Sequence, residues 1–163
     1  MTIARRAAAL AVASAALTGL SVSAAPAHAN ANFVKSVQLE SDNTNLDAYY
    51  NGVVLTRSPD YTYQNWIFTL VGVTPEGTGV YTIRSTQYGT CIQDAGVGNP
   101  VLQLPCSNYN LAQRWAVNTA QEHTTIASEK NFNEVLQGNG LDTAVTLNMY
   151  TGADNQRWTL YDK

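Results

Sequence analysis

With 163 residues, 45% hydrophobic and 13% charged, the chain carries enough apolar side chain for one packed domain and is too short for two. The low charged fraction argues against disorder. The net charge is −3, which argues against partners that present phosphate, nucleic acid above all.

The chain opens on a leader pattern. Arg5 and Arg6 precede an Ala/Leu/Val-rich stretch from Ala7 to about Leu17, and Ala27-His28-Ala29 offers small residues at both positions a signal peptidase reads. The pattern predicts a secretory signal peptide over residues 1–29, a folded domain over 30–163 and an extracellular location. The apolar run is too short for a membrane span, so no membrane insertion is expected. Without Arg5 and Arg6, seven basic side chains face twelve acidic ones, a net charge of −5. Export would also place Cys91 and Cys106, the only two cysteines, in an oxidising compartment. A pair there normally bridges, the alternative being free thiols or one catalytic thiol.

Beyond the leader the elements come in three similar sets. The first has Val37-x-Leu39, then Val53-x-Leu55, then Trp66-x-Phe68-x-Leu70. The second has Tyr81-x-Ile83, Leu102-x-Leu104 and Trp115-x-Val117. The third has a strand around Ile126, then Val145-x-Leu147 and Trp158-x-Leu160. Period-two alternation predicts strands with one buried face. The middle pair of each set begins thirteen residues before the tryptophan. Turn formers separate the strands: Asn51-Gly52, the stretch Gly96-Val97-Gly98-Asn99-Pro100, and Gly138-Asn139-Gly140. No amphipathic helix is predicted.

Each tryptophan is preceded two residues earlier by glutamine: Gln64-Asn65-Trp66, Gln113-Arg114-Trp115 and Gln156-Arg157-Trp158. The chain has only nine glutamines, so a threefold repeat of about 43 residues accounts for the pattern better than chance. The units run roughly over 33–75, 76–119 and 120–163. No unit alone closes a core, whereas three packed around a pseudo-threefold axis would, with the tryptophans supplying large buried areas. The glutamines suit backbone groups where the chain turns into its last strand.

The threefold Gln-x-Trp pattern resembles the ricin B-chain lectin family of β-trefoils. The second unit carries the resemblance best, through Gly89-Thr90-Cys91-Ile92-Gln93, Val101-Leu102-Gln103-Leu104-Pro105-Cys106 and Gln113-Arg114-Trp115. The first unit, Leu46-Asp47-Ala48-Tyr49-Tyr50-Asn51-Gly52, resembles lectins of the actinohivin type, which bind high-mannose glycans. The resemblance covers essentially the whole chain after the leader. It implies an all-β, β-trefoil fold, a Cys91–Cys106 disulfide and one shallow sugar pocket per unit. Family pockets use an Asp to accept hydrogen bonds from two sugar hydroxyls, a ring to stack on the sugar face, and an Asn just before Gln-x-Trp.

Compared with that pattern, the first unit keeps Asp47, with Asp60 and Tyr63 near the Asn position, but lacks an aromatic near Leu55. The second unit has Gln93 at the acid position, followed by Asp94, with Ala112 before Gln113 and Leu104 where the ring should be. Its pocket is expected to be inactive. The third unit has Gln137 at the acid position but keeps Asn155, with Tyr150 as its candidate ring. The candidate sugar ligands are therefore Asp47, Asp60, Tyr63, Tyr150 and Asn155. Asp47 could equally cap the Tyr49-Tyr50-Asn51-Gly52 turn, Tyr63 could equally be a packing residue with a wet hydroxyl, and for Asn155 and Tyr150 an ordinary surface-loop role is the stronger alternative.

Nothing signals catalysis, a metal or a cofactor. His123 is the single histidine beyond the leader and has no marked nucleophile as partner. With the cysteines paired it cannot complete an ordinary zinc site. The expected partner is a glycan or polysaccharide, bound without chemistry. The alternative is a protein target, with the trefoil acting as a binding module in the manner of β-trefoil protease inhibitors.

Overall fold

The computed structural model describes residues 32–59 and 61–163. The leader predicted over 1–29 lies outside the described residues. In chain order the strands are β1 (Phe33–Leu39), β2 (Asn45–Ala48), β3 (Val54–Arg57), β4 (Asn65–Val73), β5 (Gly79–Ser85), β6 (Thr90–Gln93), β7 (Leu102–Pro105), β8 (Arg114–Val117), β9 (Ile126–Ser128), β10 (Asn131–Gln137), β11 (Thr143–Ala144), β12 (Thr146–Met149) and β13 (Trp158–Asp162). Short 3-10 turns at Leu111–Gln113 and Asp154–Gln156 lead into β8 and β13. Among the described residues no helix is long and apolar enough to cross a membrane.

Six strands close a barrel. β1 pairs with β4, β4 with β5, β5 with β8 and β8 with β9. The Thr124–Trp158 bridge joins the β9 segment to β13, and β13 returns to β1. Three hairpins, β2–β3, β6–β7 and β10–β12, cap one end. They hang on the barrel through equivalent pairs: Gln38 with Asn45, Arg84 with Cys91, and Ala127 with Val135. This is a β-trefoil. Closing the sheet leaves the barrel no free edge.

The axis is marked by backbone alone. Val54 N donates to Val101 O (3.1 Å), Val101 N to Val145 O (2.8 Å) and Val145 N to Val54 O (2.9 Å). The three valines are fully buried, as are Trp66, Trp115 and Trp158. Each tryptophan sits in the same register against the next barrel strand, opposite Ser85, Ser128 and Leu39 respectively. Inward residues of the alternating strands, among them Val37, Leu39, Phe68, Ile83, Val117 and Ile126, fill the core between them.

The hairpin register differs from the sequence expectation in two units. Val54 and Thr56, and Val101 and Gln103, are the inward residues, not Val53 and Leu55 or Leu102 and Leu104; Leu104 is 36% exposed. Only Val145 and Leu147 of the third unit are both buried as read. The spacing from the axial valine to the tryptophan is 12, 14 and 13 residues in the three units. A fixed offset of thirteen therefore slips by one, in opposite directions, and a slip of one exchanges the two faces. The polar inward residues find partners across unit boundaries: Thr56 Oγ1 donates to Gly140 O (2.6 Å), and Gln103 Nε2 to Tyr49 O and Val53 O (3.0 Å each).

Candidate functional site

The Gln-x-Trp residues build the same frame three times. The indole N–H of Trp66 donates to Leu46 O, that of Trp115 to Ile92 O and that of Trp158 to Leu136 O, at 3.0, 3.2 and 3.2 Å. The glutamines, all buried, donate to the chain that turns into the last strand. Gln64 Nε2 reaches Ser58 O, Gln113 Nε2 reaches Pro105 O and Gln156 Nε2 reaches Met149 O, at 2.7, 3.0 and 2.9 Å. A buried amide without such partners would be costly.

The residue after each indole acceptor is Asp47, Gln93 or Gln137, so the acid position of the first unit is structurally equivalent to the two glutamines. Each contacts its signature glutamine: Gln64 Nε2 donates to Asp47 Oδ2 (3.3 Å), Gln113 Nε2 to Gln93 Oε1 (3.1 Å) and Gln156 Nε2 to Gln137 Oε1 (3.0 Å). The next residue closes each pocket floor through backbone, Ala48 N to Tyr63 O, Asp94 N to Ala112 O and Gly138 N to Asn155 O, at 2.9, 2.8 and 2.9 Å. Tyr63, Ala112 and Asn155 are thereby equivalent too, one residue before the signature glutamine.

The three floors differ in what they leave open. Asp47 has no exposed surface, and among the described residues its Oδ1 has no hydrogen-bond partner. Burial raises its carboxyl above the ordinary value, opposed by the Gln64 hydrogen bond and the Arg57 charge. Gln93 Oε1 instead accepts a second bond from Asn110 Nδ2 (3.0 Å). The neighbouring Asp94 is a structural acid: it accepts from Ser128 Oγ and Gly96 N (2.7 Å each) and lies 3.3 Å from Lys130 Nζ. The Cys91–Cys106 disulfide staples this second unit.

Tyr63 is half-buried, packs on the core and stacks on Tyr88, with centroids 5.7 Å apart and planes 14° apart. Tyr88 comes from the β5–β6 turn of the second unit. Burial raises its phenol pKa, as do the charges of Tyr63 and Asp47. Tyr88 thus brings a ring from the neighbouring unit against Tyr63, a contact that a comparison confined to equivalent positions misses. Arg57 completes the surroundings. Its guanidinium lies over Tyr61 (4.3 Å to the centroid) and Tyr49 (5.6 Å), and its Nε is 2.9 Å from Asp142 Oδ1.

The other candidates are placed as follows. Asp60 lies outside the described residues. Asn155 Nδ2 is engaged with Gly138 O (3.2 Å). Tyr150 is 55% exposed on the loop after β12, held by its backbone N–H on Asn133 O (2.7 Å). The structure therefore brings the backbone of Tyr63 beside Asp47, through the Ala48 N–Tyr63 O bond, and puts Asn155 at the equivalent place in the third unit, with Tyr150 on the loop nearby. His123 is exposed, with Nδ1 3.0 Å from Thr159 Oγ1. Among the described residues no group of three or more His, Cys, Asp or Glu side chains could hold a metal.

Comparison with known proteins agrees with this geometry. Solved structures that resemble the chain include the designed threefold-symmetric protein ThreeFoil, at 19% identity and TM-score 0.67, covering 80% of this chain and 99% of that one. The Macrolepiota procera ricin B-like lectin, solved in complex with lactose, is 15% identical at TM-score 0.64, with coverage of 83% and 99%. The Polyporus squamosus lectin, solved with a human-type influenza-binding epitope, is 20% identical at TM-score 0.67; the match covers 80% of this chain and 49% of that one. Such identities establish the fold alone. No curated protein sequence matches the chain. A family model, ricin-type beta-trefoil lectin domain-like, matches residues 62–148, more than half of the chain. With three equivalent Gln-x-Trp frames around one axis and that match, the chain belongs to the ricin-type β-trefoil lectin-like family.

Proposed function

We propose that the protein is exported and binds carbohydrate without catalysis, through a pocket in the first unit. One observation carries this reading: Asp47 holds the family's acid position and keeps a carboxylate oxygen without a partner, beside the stacked Tyr63–Tyr88 pair. A sugar hydroxyl would supply the missing donor, and the rings offer an apolar face to sugar C–H groups. Because Asp47 has no exposed surface, a hydroxyl reaches it only by displacing the side chains around it. Family membership supports the ligand class, as do the relatives solved with lactose and a glycan epitope.

Titration calorimetry or a glycan array with wild type and Asp47→Ala tests the reading. A hydrogen bond to a charged acceptor contributes about 1.5–3 kcal/mol, so Asp47→Ala should weaken binding roughly ten- to hundredfold. One site gives weak binding, and avidity would need a second site, with Asn155 and Tyr150 as candidates, or an oligomer. If wild type binds no glycan, the protein-binding reading moves ahead. The exposed Leu104, Tyr109 and Leu111 of the second unit favour it.

A further inference from the structure

A cleft of about 540 Å³ lies on the outer face of β1, roofed by Pro59, Tyr61 and Thr62 and walled by β13. It does not open on Asp47, Tyr63 or Tyr88. Strand alternation explains its floor: Val37 and Leu39 point into the core, so Ser36 and Gln38 point out into the cleft. Asn45, paired with Gln38 at the root of the first hairpin, and Gln64 complete the floor.

Three of these floor groups, Ser36, Asn45 and Gln64, are polar and more than nine-tenths buried. Asn45 Nδ2 donates to Gln64 Oε1 (3.0 Å), but Asn45 Oδ1 has no partner among the described residues. The side chains of Ser36 and Asn65 make no hydrogen bond to another described residue. Buried polar groups are almost always paired, so the orphaned Asn45 Oδ1 at the edge of a cleft points to a missing ligand, which the Ser36 hydroxyl and the half-buried Asn65 amide could also meet.

The pseudo-symmetry shows that this lining is particular to the first unit. The hairpin root pairs Gln38 with Asn45 here, Arg84 with Cys91 in the second unit and Ala127 with Val135 in the third. Cys91 is tied up in the disulfide, and Val135 and Ala127 pack in a small apolar cluster. Neither relative leaves an amide open.

The lining also specifies the ligand. Tyr61 and Tyr161, 45% and 48% exposed, provide aromatic surface, and amides and hydroxyls provide donors and acceptors of both kinds. Among the described residues the one acidic side chain of the lining, Asp162, is paired with Lys35 (2.6 Å), so the described lining offers a ligand mainly neutral donors and acceptors. The volume falls in the range of small-molecule sites, about 300–1,000 Å³.

We propose that this cleft is a second saccharide site, taking a neutral mono- or disaccharide unit through Ser36, Asn45, Asn65 and Tyr161, separate from the Asp47 pocket. The ligand class rests on the carbohydrate-binding reading above; the location does not. Gln64 links the two sites, donating to Asp47 and accepting from Asn45.

Amide chemical-shift titration of the ¹⁵N-labelled protein with lactose and with methyl α-mannoside tests the proposal. The expected result is saturable shifts at Ser36, Gln38, Asn65 and Tyr161 that persist in Asp47→Ala. In Tyr161→Ala and in Asn65→Ala, both surface changes, the dissociation constant read at those amides should rise at least tenfold. Shifts confined to the surroundings of Asp47, Tyr63 and Tyr88 would overturn the cleft and leave the first-unit reading standing. Cleft shifts insensitive to both substitutions would overturn the residue assignment. No shift at either place with either sugar would overturn both.

Discussion

Asp47 and Asp94 are one residue apart in the repeat, both buried, and opposite in consequence. Asp94 is saturated by the Gly96 backbone amide of its own unit and by the Ser128 hydroxyl and Lys130 from around the third unit's first strand. Asp47 has a single weak contact with Gln64 and an oxygen left over. Around Asp94 the second unit is stapled by a disulfide and its acid-position residue, Gln93, is doubly bonded. Around Asp47 the first unit is held by stacked tyrosines and a surface arginine pair. The second unit closes its polar groups internally, while the first leaves an acceptor without a described partner. Pseudo-symmetry makes the difference readable, because the frame around both acids is the same.

The contrast can be broken most strongly at the staple. Replacing Cys91 and Cys106 together by alanine should cost about 2–4 kcal/mol, read by urea denaturation. The circular dichroism of the folded state should be unchanged, and glycan binding by the first unit should be unaffected. Asp94→Ala should cost about 1–3 kcal/mol by stranding the partners it serves, again with glycan affinity unchanged. A loss of binding in that variant would mean that the second unit is not closed after all. Tyr88→Ala should act the other way. An aromatic contribution of about 0.5–1.5 kcal/mol translates into a roughly two- to tenfold weaker glycan affinity by calorimetry, with little change in melting temperature.

The smallest effect is on pH dependence. Burial raises the Asp47 carboxyl above its ordinary value of 3.8, so the folded state holds this proton more tightly than the unfolded one. The stabilisation is complete below the unfolded value and is lost as pH rises through the folded one. Asp47→Asn should therefore gain stability relative to wild type as pH rises from below 3.8, with the difference levelling off once Asp47 is ionised in both states. Denaturation midpoints of the two proteins across that window check the sign.

Much of this was legible in the sequence because the core residues repeat as identities. Trp66, Trp115 and Trp158 fill equivalent volumes and donate to equivalent carbonyls, so the same side chain is required three times. The hairpins were legible only in outline. Their positions relative to the tryptophans depend on loops that differ by one residue, and the inward places at Thr56 and Gln103 are polar, which disguises the buried face. Asp47 could be matched because its neighbour Leu46 carries the indole acceptor. Tyr88 could not, because it reaches Tyr63 from the next unit and contact across a unit boundary leaves no periodic trace. The cleft beside Asn45 was hidden for a related reason: its lining joins the two ends of the described chain, Ser36 and Gln38 to Tyr161 and Asp162.

The triangle of Val54, Val101 and Val145 has a kinetic consequence. Its three bonds run in one cyclic sense, from first unit to second, second to third and third to first, so no two units can complete it. The last bond joins residues far apart in the chain, and contacts of high sequence separation form slowly because loop-closure entropy comes before any reward. The cap of the barrel should accordingly assemble in one late, cooperative step. Its backbone amides should then be among the slowest in the molecule to exchange with solvent deuterium, opening only with the whole fold.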